Sequence, residues 1–257
     1  MANTHTYPVR IGVMTEELYL PAGEYQRTFD AEVVAADEAG PSVVLDRTLF
    51  YKEGGGQPPD HGTLSWDDGE ARVVDVRKDH GEIRHELDGD VPEAGTTVRG
   101  DLDWERRHAH MRYHTAQHVV SKVVLDEYGA STAGNQVYPD HARIDFEPAD
   151  FDEADLRAIE EHANDLIVRD LPVRKENRSR SALEDETPEG RTNLDLIPES
   201  VDPLRAVSIG DIDVCPCGGT HVDSLAELGE LEVTDRTSKG ANVDRIEFVL
   251  HDPATAD

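Results

Sequence analysis

The sequence is short of aromatic residues, cysteine and long apolar runs, and each shortage narrows the class of protein. Only 5% of the 257 residues are aromatic. No apolar run reaches the roughly 18 residues that a membrane-spanning helix needs, so we expect no membrane contact. The first residues lack a basic patch followed by an apolar stretch, which favours a cytoplasmic protein over a secreted one. Nothing in the sequence indicates a stable protein partner.

Cationic residues are also scarce. The chain has 25 Lys and Arg against 55 Asp and Glu, for a formal net charge of −30. The acidic residues are spread along the whole chain between apolar residues, which favours a folded protein over an acidic tail. We interpret them as an acidic surface adapted to high salt, where like-charge repulsion is screened over a few ångströms. So acidic a surface disfavours nucleic acid as a partner unless a local basic patch provides the contact.

The first hundred residues carry β-type alternation of apolar and polar residues. Predicted strands cover residues 32–36, 42–45, 71–76 and 96–102, and Gly-containing turns separate them. Short strands with regular turns are typical of a small barrel or sandwich. Between them lies a loop, residues 50–59, that is too rich in Gly and Pro to be a strand.

The pattern changes at Glu105, where an apolar period near 3.6 begins. It predicts helices over residues 105–128 and 153–168, with Gly129 ending the first. Predicted strands in this half cover residues 142–146, 171–174, 204–209, 231–233 and 245–250, and residues 178–203 form a partly helical connection. The sequence therefore predicts an α+β protein with an N-terminal domain over residues 1–104 and a second domain over residues 105–257.

Two pairs of potential metal ligands share the same spacing. His114 and His118 lie four residues apart on a predicted helix, which places them on one face. Cys217 and His221 lie four apart in a loop whose two glycines permit a tight fold. Three nitrogens and one sulfur form a donor set that zinc prefers, so we expect one zinc ion per chain. Cys215 is the competing sulfur, and it is also explained as a small buried hydrophobic residue. Two cysteines with one residue between them rarely form a structural disulfide, so a metal or catalytic role is favoured for this pair.

The motifs around these pairs resemble those of a known family. Residues 103–118, together with Cys217-Gly-Gly-Thr-His221, resemble the editing domain of alanyl-tRNA synthetases and the free-standing alanyl-tRNA editing proteins of the AlaX type. The Gly-rich stretch of residues 50–58 is similar to the loop of the medium-length members, which carry an extra N-terminal barrel. The resemblance runs over residues 42–250. It implies a trans-editing hydrolase that deacylates mischarged tRNA(Ala), loaded with serine and also with glycine.

The resemblance also implies roles for particular residues. His114, His118, Cys217 and His221 match the zinc positions, and Thr132 matches a polar residue near the amino-acid side chain. Gly54, Gly55, Gly56 and Gln57 match the Gly-rich loop that approaches the substrate. Three arginines beside the predicted metal helix, Arg106, Arg107 and Arg112, are candidates for phosphate contacts with tRNA. No residue is assigned to acid or base catalysis.

Several alternatives stay open on the residues alone. Ser131 is as plausible a hydroxyl donor as Thr132, the three glycines are also explained as a flexible turn, and the arginines as solvated helix cations. A zinc-stabilised module that binds tRNA without hydrolysing it is a second interpretation. A different zinc hydrolase is a third, and it needs a carboxylate base, for which Asp211, Asp213 and Asp223 are the nearest candidates.

Overall fold

The structure is a computed structural model, and it describes residues 14–192, 194 and 197–252. Its first half is a closed six-stranded barrel in the order β2-β3-β7-β6-β5-β8. A short parallel pair, β1 and β4, lies beside it. The strands, numbered in chain order, are β1 (Glu16–Glu17), β2 (Thr28–Asp37), β3 (Ser42–Leu45), β4 (Arg47–Thr48), β5 (Gly62–Trp66), β6 (Gly69–Asp79), β7 (Glu82–Gly89) and β8 (Thr97–Leu102).

The side chains of the barrel strands alternate between the interior and the surface, and the interior is apolar. In β8 every second residue is buried, so Val98 and Leu102 point inward while their neighbours face out. Phe29 and Leu64 from other strands join the same cluster. His85 is a polar residue at an inward position, fully buried with Nε2 2.9 Å from Thr48 Oγ1.

A long helix, α1 (Trp104–Tyr128), follows the barrel almost at once. Its N-terminus is capped by the Asp103 side chain, which accepts from the Arg106 amide, and its C-terminus ends at Gly129 with a φ of 64°. The apolar side chains of α1 pack in the core of the second half. The helix therefore carries one face into that core and another towards the barrel.

The second half surrounds α1 with two antiparallel sheets. One has four strands in the order β14-β15-β10-β9 and the other three in the order β11-β12-β13. The elements are β9 (Ser131–Val137), β10 (Ala142–Glu147), α2 (Glu153–Val168), β11 (Val173–Arg178), α3 (Arg180–Glu186), β12 (Leu204–Ile209), β13 (Asp213–Pro216), a 3₁₀ turn (Leu225–Leu228), β14 (Glu230–Gly240) and β15 (Val243–His251).

The predicted α+β class and the presence of a closed barrel are confirmed, and the sandwich alternative is excluded by the closed strand order. The division at residue 104 stays a prediction, although the two large hydrophobic clusters lie on either side of it. Strand β9 was not predicted, because its sequence Ser-Thr-Ala-Gly-Asn-Gln-Val is polar and reads as a loop. Over the described ranges, no helix combines the length and apolarity that crossing a membrane requires.

Candidate metal centre

Four side chains from distant parts of the chain converge beside α1. Potential ligand atoms of His114, His118, Cys217 and His221 all lie within 4.8 Å of one another. Cys217 Sγ is 3.5 Å from His114 Nε2 and 3.3 Å from His221 Nε2. The helical spacing brings the first two ligands onto one face, and the loop after β13 supplies the other two. The donor set predicted from sequence is therefore assembled in the fold and can hold a metal ion.

The second ring nitrogen of each histidine has its own partner. His114 Nδ1 lies 2.8 Å from Gln57 Oε1, and His221 Nδ1 lies 3.1 Å from Thr115 Oγ1. The Thr115 hydroxyl donates to the Met111 carbonyl, so towards His221 it accepts. His118 Nδ1 lies 3.4 Å from Cys215 Sγ. The acceptor oxygens beside His114 and His221 place their protons on Nδ1 and leave Nε2 for the metal, the arrangement typical of protein metal ligands.

The electrostatics of the cluster favour the metal-binding protonation states. Burial lowers the pKa of His114 to about 3 and also lowers the pKa values of His118 and His221, so the imidazoles are neutral. Burial alone would raise the pKa of the Cys217 thiol, but the hydrogen bond of His118 and the nearby Arg205 cation lower it below its usual value. Burial raises the pKa of Cys215 to about 12. The thiolate form is thus more accessible at Cys217 than at Cys215, which keeps its proton.

The loop that carries two of the ligands, residues 217–221, is called the metal loop below. It packs so closely on α1 that a Cβ atom on Gly219 would lie 2.0 Å from His114 Cε1. Its carbonyl groups are held by buried cations rather than by a strand partner. Arg205 Nη1 donates to the carbonyls of Cys217 and Gly219, and Lys175 Nζ donates to the carbonyl of Val222 just beyond the loop.

The Gly-rich loop of the barrel reaches this centre through a tight turn. Gly54 and Gln57 exchange two backbone hydrogen bonds, and Gly55 and Gly56 between them have φ values of 59° and 78°. Positive φ at both central residues suits glycine. The Gly56 carbonyl accepts from the Val137 amide of β9, so the loop is docked on the second half of the chain. The interpretation as a free flexible turn does not fit this docking.

Gln57 has a different environment from its three glycine neighbours. Its side chain is fully buried, accepts from His114 Nδ1 and the Thr220 amide, and donates to the Thr220 hydroxyl. All of these partners belong to the metal centre. The Gln57 side chain, which is predicted to contact substrate, contacts the candidate ligand His114 and the metal loop and is not among the residues that line the cavity beside the metal cluster.

A cavity of about 620 Å³ opens beside the metal cluster. Gly54, Gly55 and Thr132 line it, so three of the predicted substrate-binding residues face the same space as His114 and Cys217. The Thr132 hydroxyl donates to Ser121 Oγ at 2.9 Å, which makes a pair of hydroxyls on the wall formed by β9 and α1. Ser131, the alternative donor, is not among the residues that line the cavity.

Several residues that line the cavity were not singled out from the sequence, among them Gln117, Asn135 and Arg191. Gln117 is 7% exposed, and among the described residues its Oε1 has no hydrogen-bond partner. Its position three after His114 on the same helix was the available signal. Asn135 and Arg191 also line the cavity; Asn135 lies on the unpredicted β9, and Arg191 has no motif around it.

The three predicted phosphate-binding arginines have separate environments. Arg107 is fully buried and binds the Asp60 carboxylate and the carbonyls of Glu24 and Leu49, so it is unavailable to tRNA. Arg112 is mostly buried and binds the carbonyls of Leu228 and His251. Arg106 is partly exposed, with one contact to the Pro59 carbonyl, and is the one of the three still able to reach a phosphate.

The three carboxylates proposed for a different zinc hydrolase do not line the cavity, although Asp213 lies within 4.8 Å of His118 and Cys215. Both oxygens of Asp213 bind Arg191, Asp223 binds Lys175 and is mostly exposed, and Asp211 is exposed. Among the described residues that line the cavity, the one carboxylate is the exposed Glu53. A buried general base beside the metal cluster is thus missing from the described wall.

Comparisons with known proteins match this geometry in both halves of the chain. Residues 19–106 match the family described as tRNA synthetases class II (A), and residues 204–247 match the threonyl and alanyl tRNA synthetase second additional domain. Alanyl-tRNA editing protein AlaX-M of Methanosarcina barkeri is 38% identical over 93% of this chain and 100% of its own length. The chain belongs to the alanyl-tRNA editing proteins.

Longer relatives contain the same region. Alanyl-tRNA editing protein AlaX-L of Pyrococcus horikoshii is 38% identical over 91% of this chain and 58% of its own length. The alanine–tRNA ligase of Methanopyrus kandleri is also 38% identical, over 93% of this chain but only 26% of its own length. The barrel and metal half of an alanyl-tRNA editing protein thus correspond to about a quarter of that ligase.

Proposed function

We propose that this chain is a zinc-dependent deacylase that removes serine, and also glycine, from mischarged tRNA(Ala) in trans. The observation that carries the proposal is one cavity with the four-ligand cluster on one side and the Thr132–Ser121 hydroxyl pair on another. Three histidine nitrogens and a thiolate are preferred zinc donors, and the histidines present Nε2 to the cluster. Family membership supports an activity on mischarged tRNA(Ala).

The need for such an activity follows from the limits of a pocket built for alanine. Glycine is smaller than alanine and cannot be excluded by size. Serine adds only a hydroxyl, which an apolar pocket rejects by roughly a hundredfold at best. A second site that binds the hydroxyl discriminates better, because alanine leaves the polar groups of that site unpaired. The hydroxyl pair in the cavity provides a site of this kind.

Different residues of the chain would hold the metal and position the ester. His114, His118, Cys217 and His221 would hold the zinc ion, which when bound supplies Lewis-acid chemistry to an ester or a water molecule. Because the Thr132 hydroxyl donates to Ser121, its oxygen is free to accept a hydrogen bond from the serine hydroxyl. The Gln117 Oε1, which has no hydrogen-bond partner among the described residues, offers a further hydrogen bond to the aminoacyl group.

The second candidate function is a zinc-stabilised module that binds tRNA without hydrolysis. That interpretation would gain support from a Gly-rich loop unable to reach the metal centre. Here Gly54 and Gly55 line the cavity together with His114, and this favours the deacylase.

The charge of the chain bears on its partner and its surroundings. We propose that Arg106 contacts tRNA phosphates, and that the protein works in the cytoplasm, where its tRNA substrates are charged. With a net charge of −30, we expect the acidic surface to require salt on the order of molar for folding. A circular dichroism spectrum that stays folded at low salt would remove the salt-adaptation proposal.

The role of the hydroxyl pair is tested by Thr132→Val, which keeps the volume and removes the hydroxyl. Activity on seryl-tRNA(Ala) should fall by the worth of one hydrogen bond, about 0.5–1.5 kcal/mol or roughly two- to tenfold. Activity on glycyl-tRNA(Ala), which has no side chain to bind, should change less. An equal fall on both substrates would show that Thr132 does not read the side chain.

A further inference from the structure

The carbonyl groups of Cys217 and Gly219 in the metal loop are bound by a side chain and not by backbone amides of the described residues. Residues 217–221 lie outside both helices and strands, although they carry two of the four ligands. Buried carbonyl groups need donors, and in this loop side chains provide them. The conformation of the loop therefore depends on the residues that donate to it.

Arg205 provides the main support from its place on β12. Its Nη1 donates to the Cys217 carbonyl at 2.7 Å and to the Gly219 carbonyl at 2.8 Å. The Cys217 amide in turn donates to the Arg205 carbonyl at 3.1 Å. One buried guanidinium, 9% exposed, thus bridges both sides of the turn that separates Cys217 from His221.

The rest of the same guanidinium is bound to a segment that precedes the barrel strands. Arg205 Nε donates to the Pro21 carbonyl at 2.7 Å, and Nη2 forms an ion pair with the fully buried Glu24 carboxylate. The Glu24 carbonyl is itself bound by Arg107 of α1 at 3.0 Å. Each of the three guanidinium nitrogens therefore has a defined partner, and the planar fork leaves little freedom for the side chain to turn.

We propose that Arg205 is a positioning residue of the metal site: anchored by Glu24 and Pro21, it holds the Cys217 and Gly219 carbonyls and so sets the affinity of the loop for the metal. The segment of residues 21–24 becomes part of the metal site through this contact, although it is about 190 residues from the ligands it supports. The proposal rests on the zinc site of the proposed function and adds a residue that the ligand motifs do not contain.

Arg205→Met and Arg205→Lys in the full chain test the proposal, with zinc affinity measured by competition against a chromogenic chelator. Arg205→Met should raise the zinc dissociation constant by roughly 10- to 100-fold, the usual cost of losing a partner that orients a ligand. The zinc dissociation constant of Arg205→Lys should lie between the values for Arg205→Met and wild type. The lysine ammonium can reach one carbonyl but cannot bridge two as the guanidinium does.

Arg236→Met is the matched control, since Arg236 also forms an ion pair with a buried carboxylate, Asp244, but does so in the four-stranded sheet. It should lower thermal stability without changing zinc affinity. Equal zinc affinity in wild type and Arg205→Met, or an equal loss in Arg236→Met, would overturn the positioning role.

Glu24→Gln keeps the proposal testable if Arg205→Met does not fold. It leaves a hydrogen-bonding oxygen for Arg205 and removes the charge, so a smaller rise in the dissociation constant is expected. Unchanged affinity in both Glu24→Gln and Arg205→Lys would contradict the proposal. A wild-type chain that binds no zinc would instead refute the metal site of the proposed function, which separates the two failures.

Discussion

Replacing Gln57 with leucine separates a role in holding the metal ligands from a role in binding substrate. The Gln57 side chain is fully buried between the barrel and the metal loop. Its Oε1 accepts from His114 Nδ1 at 2.8 Å and from the Thr220 amide at 3.0 Å. Leucine has a similar volume and no acceptor, so both donors would remain buried without a partner.

The magnitude follows from these two donors. An unsatisfied buried donor costs about 1–3 kcal/mol, so the substitution should lower the free energy of unfolding by roughly 2–6 kcal/mol. At about 2–4 °C per kcal/mol for a chain of this size, the melting temperature should fall by at least about 4 °C. Losing the acceptor that orients His114 should also weaken zinc binding by roughly 10- to 100-fold.

The assay combines thermal unfolding with chelator competition, and Gln57→Glu is the control. Glutamate retains an acceptor oxygen for His114 and Thr220. Gln57→Glu should therefore regain most of the zinc affinity that Gln57→Leu loses. Wild-type zinc affinity in Gln57→Leu, together with a raised KM for the aminoacyl-tRNA, would refute the role of Gln57 in holding the metal ligands. It would indicate that Gln57 binds the substrate.

Three further expectations concern the metal loop and the barrel core. Gly219→Ala should lose zinc in elemental analysis, because the new Cβ would lie 2.0 Å from His114 Cε1, whereas Gly218→Ala, with no atom within 4 Å of its added Cβ, should keep it. Cys217→Ala should lose the zinc, and Cys215→Ala should retain one ion with weaker affinity. Zinc lost only from Cys215→Ala would show that Cys215, and not Cys217, is the ligand. Burial lowers the pKa of His85 to about 4, below the unfolded value of about 6.5. The unfolded chain therefore takes up the proton first, and the free energy of unfolding should fall as the pH drops from about 6.5 to about 4. Urea unfolding of wild type and His85→Gln at several pH values measures how the free energy of unfolding depends on pH. An equal pH dependence in the two proteins would contradict the assignment to His85.

The sequence was sufficient where the signal is local. The apolar period and Gly129 predicted α1 to within a residue at its start, and the spacing of His114 and His118 placed both on one face. The two glycines before His221 indicated a loop tight enough to bring Cys217 back to the same point. Each of these inferences uses residues that are close in the chain, where backbone geometry alone fixes the distance.

The sequence was insufficient where the partner is distant. Arg107 sits among helix residues that suggest a solvated or phosphate-binding cation, yet its partner Asp60 lies 47 residues earlier and buries it. The sequence groups Gln57 with the glycines beside it in the loop predicted to approach the substrate, but its contacts are with His114 and Thr220. Burial of a polar side chain depends on a tertiary partner, and a single sequence does not name that partner.

The most direct test of the central claim is hydrolysis of tRNA(Ala) charged with serine, glycine or alanine by the zinc-loaded wild-type chain. The account predicts release of serine and glycine and little release of alanine, with the activity lost when a chelator removes the metal. Zinc-loaded protein that releases none of the three amino acids, or releases alanine as fast as serine, would contradict it.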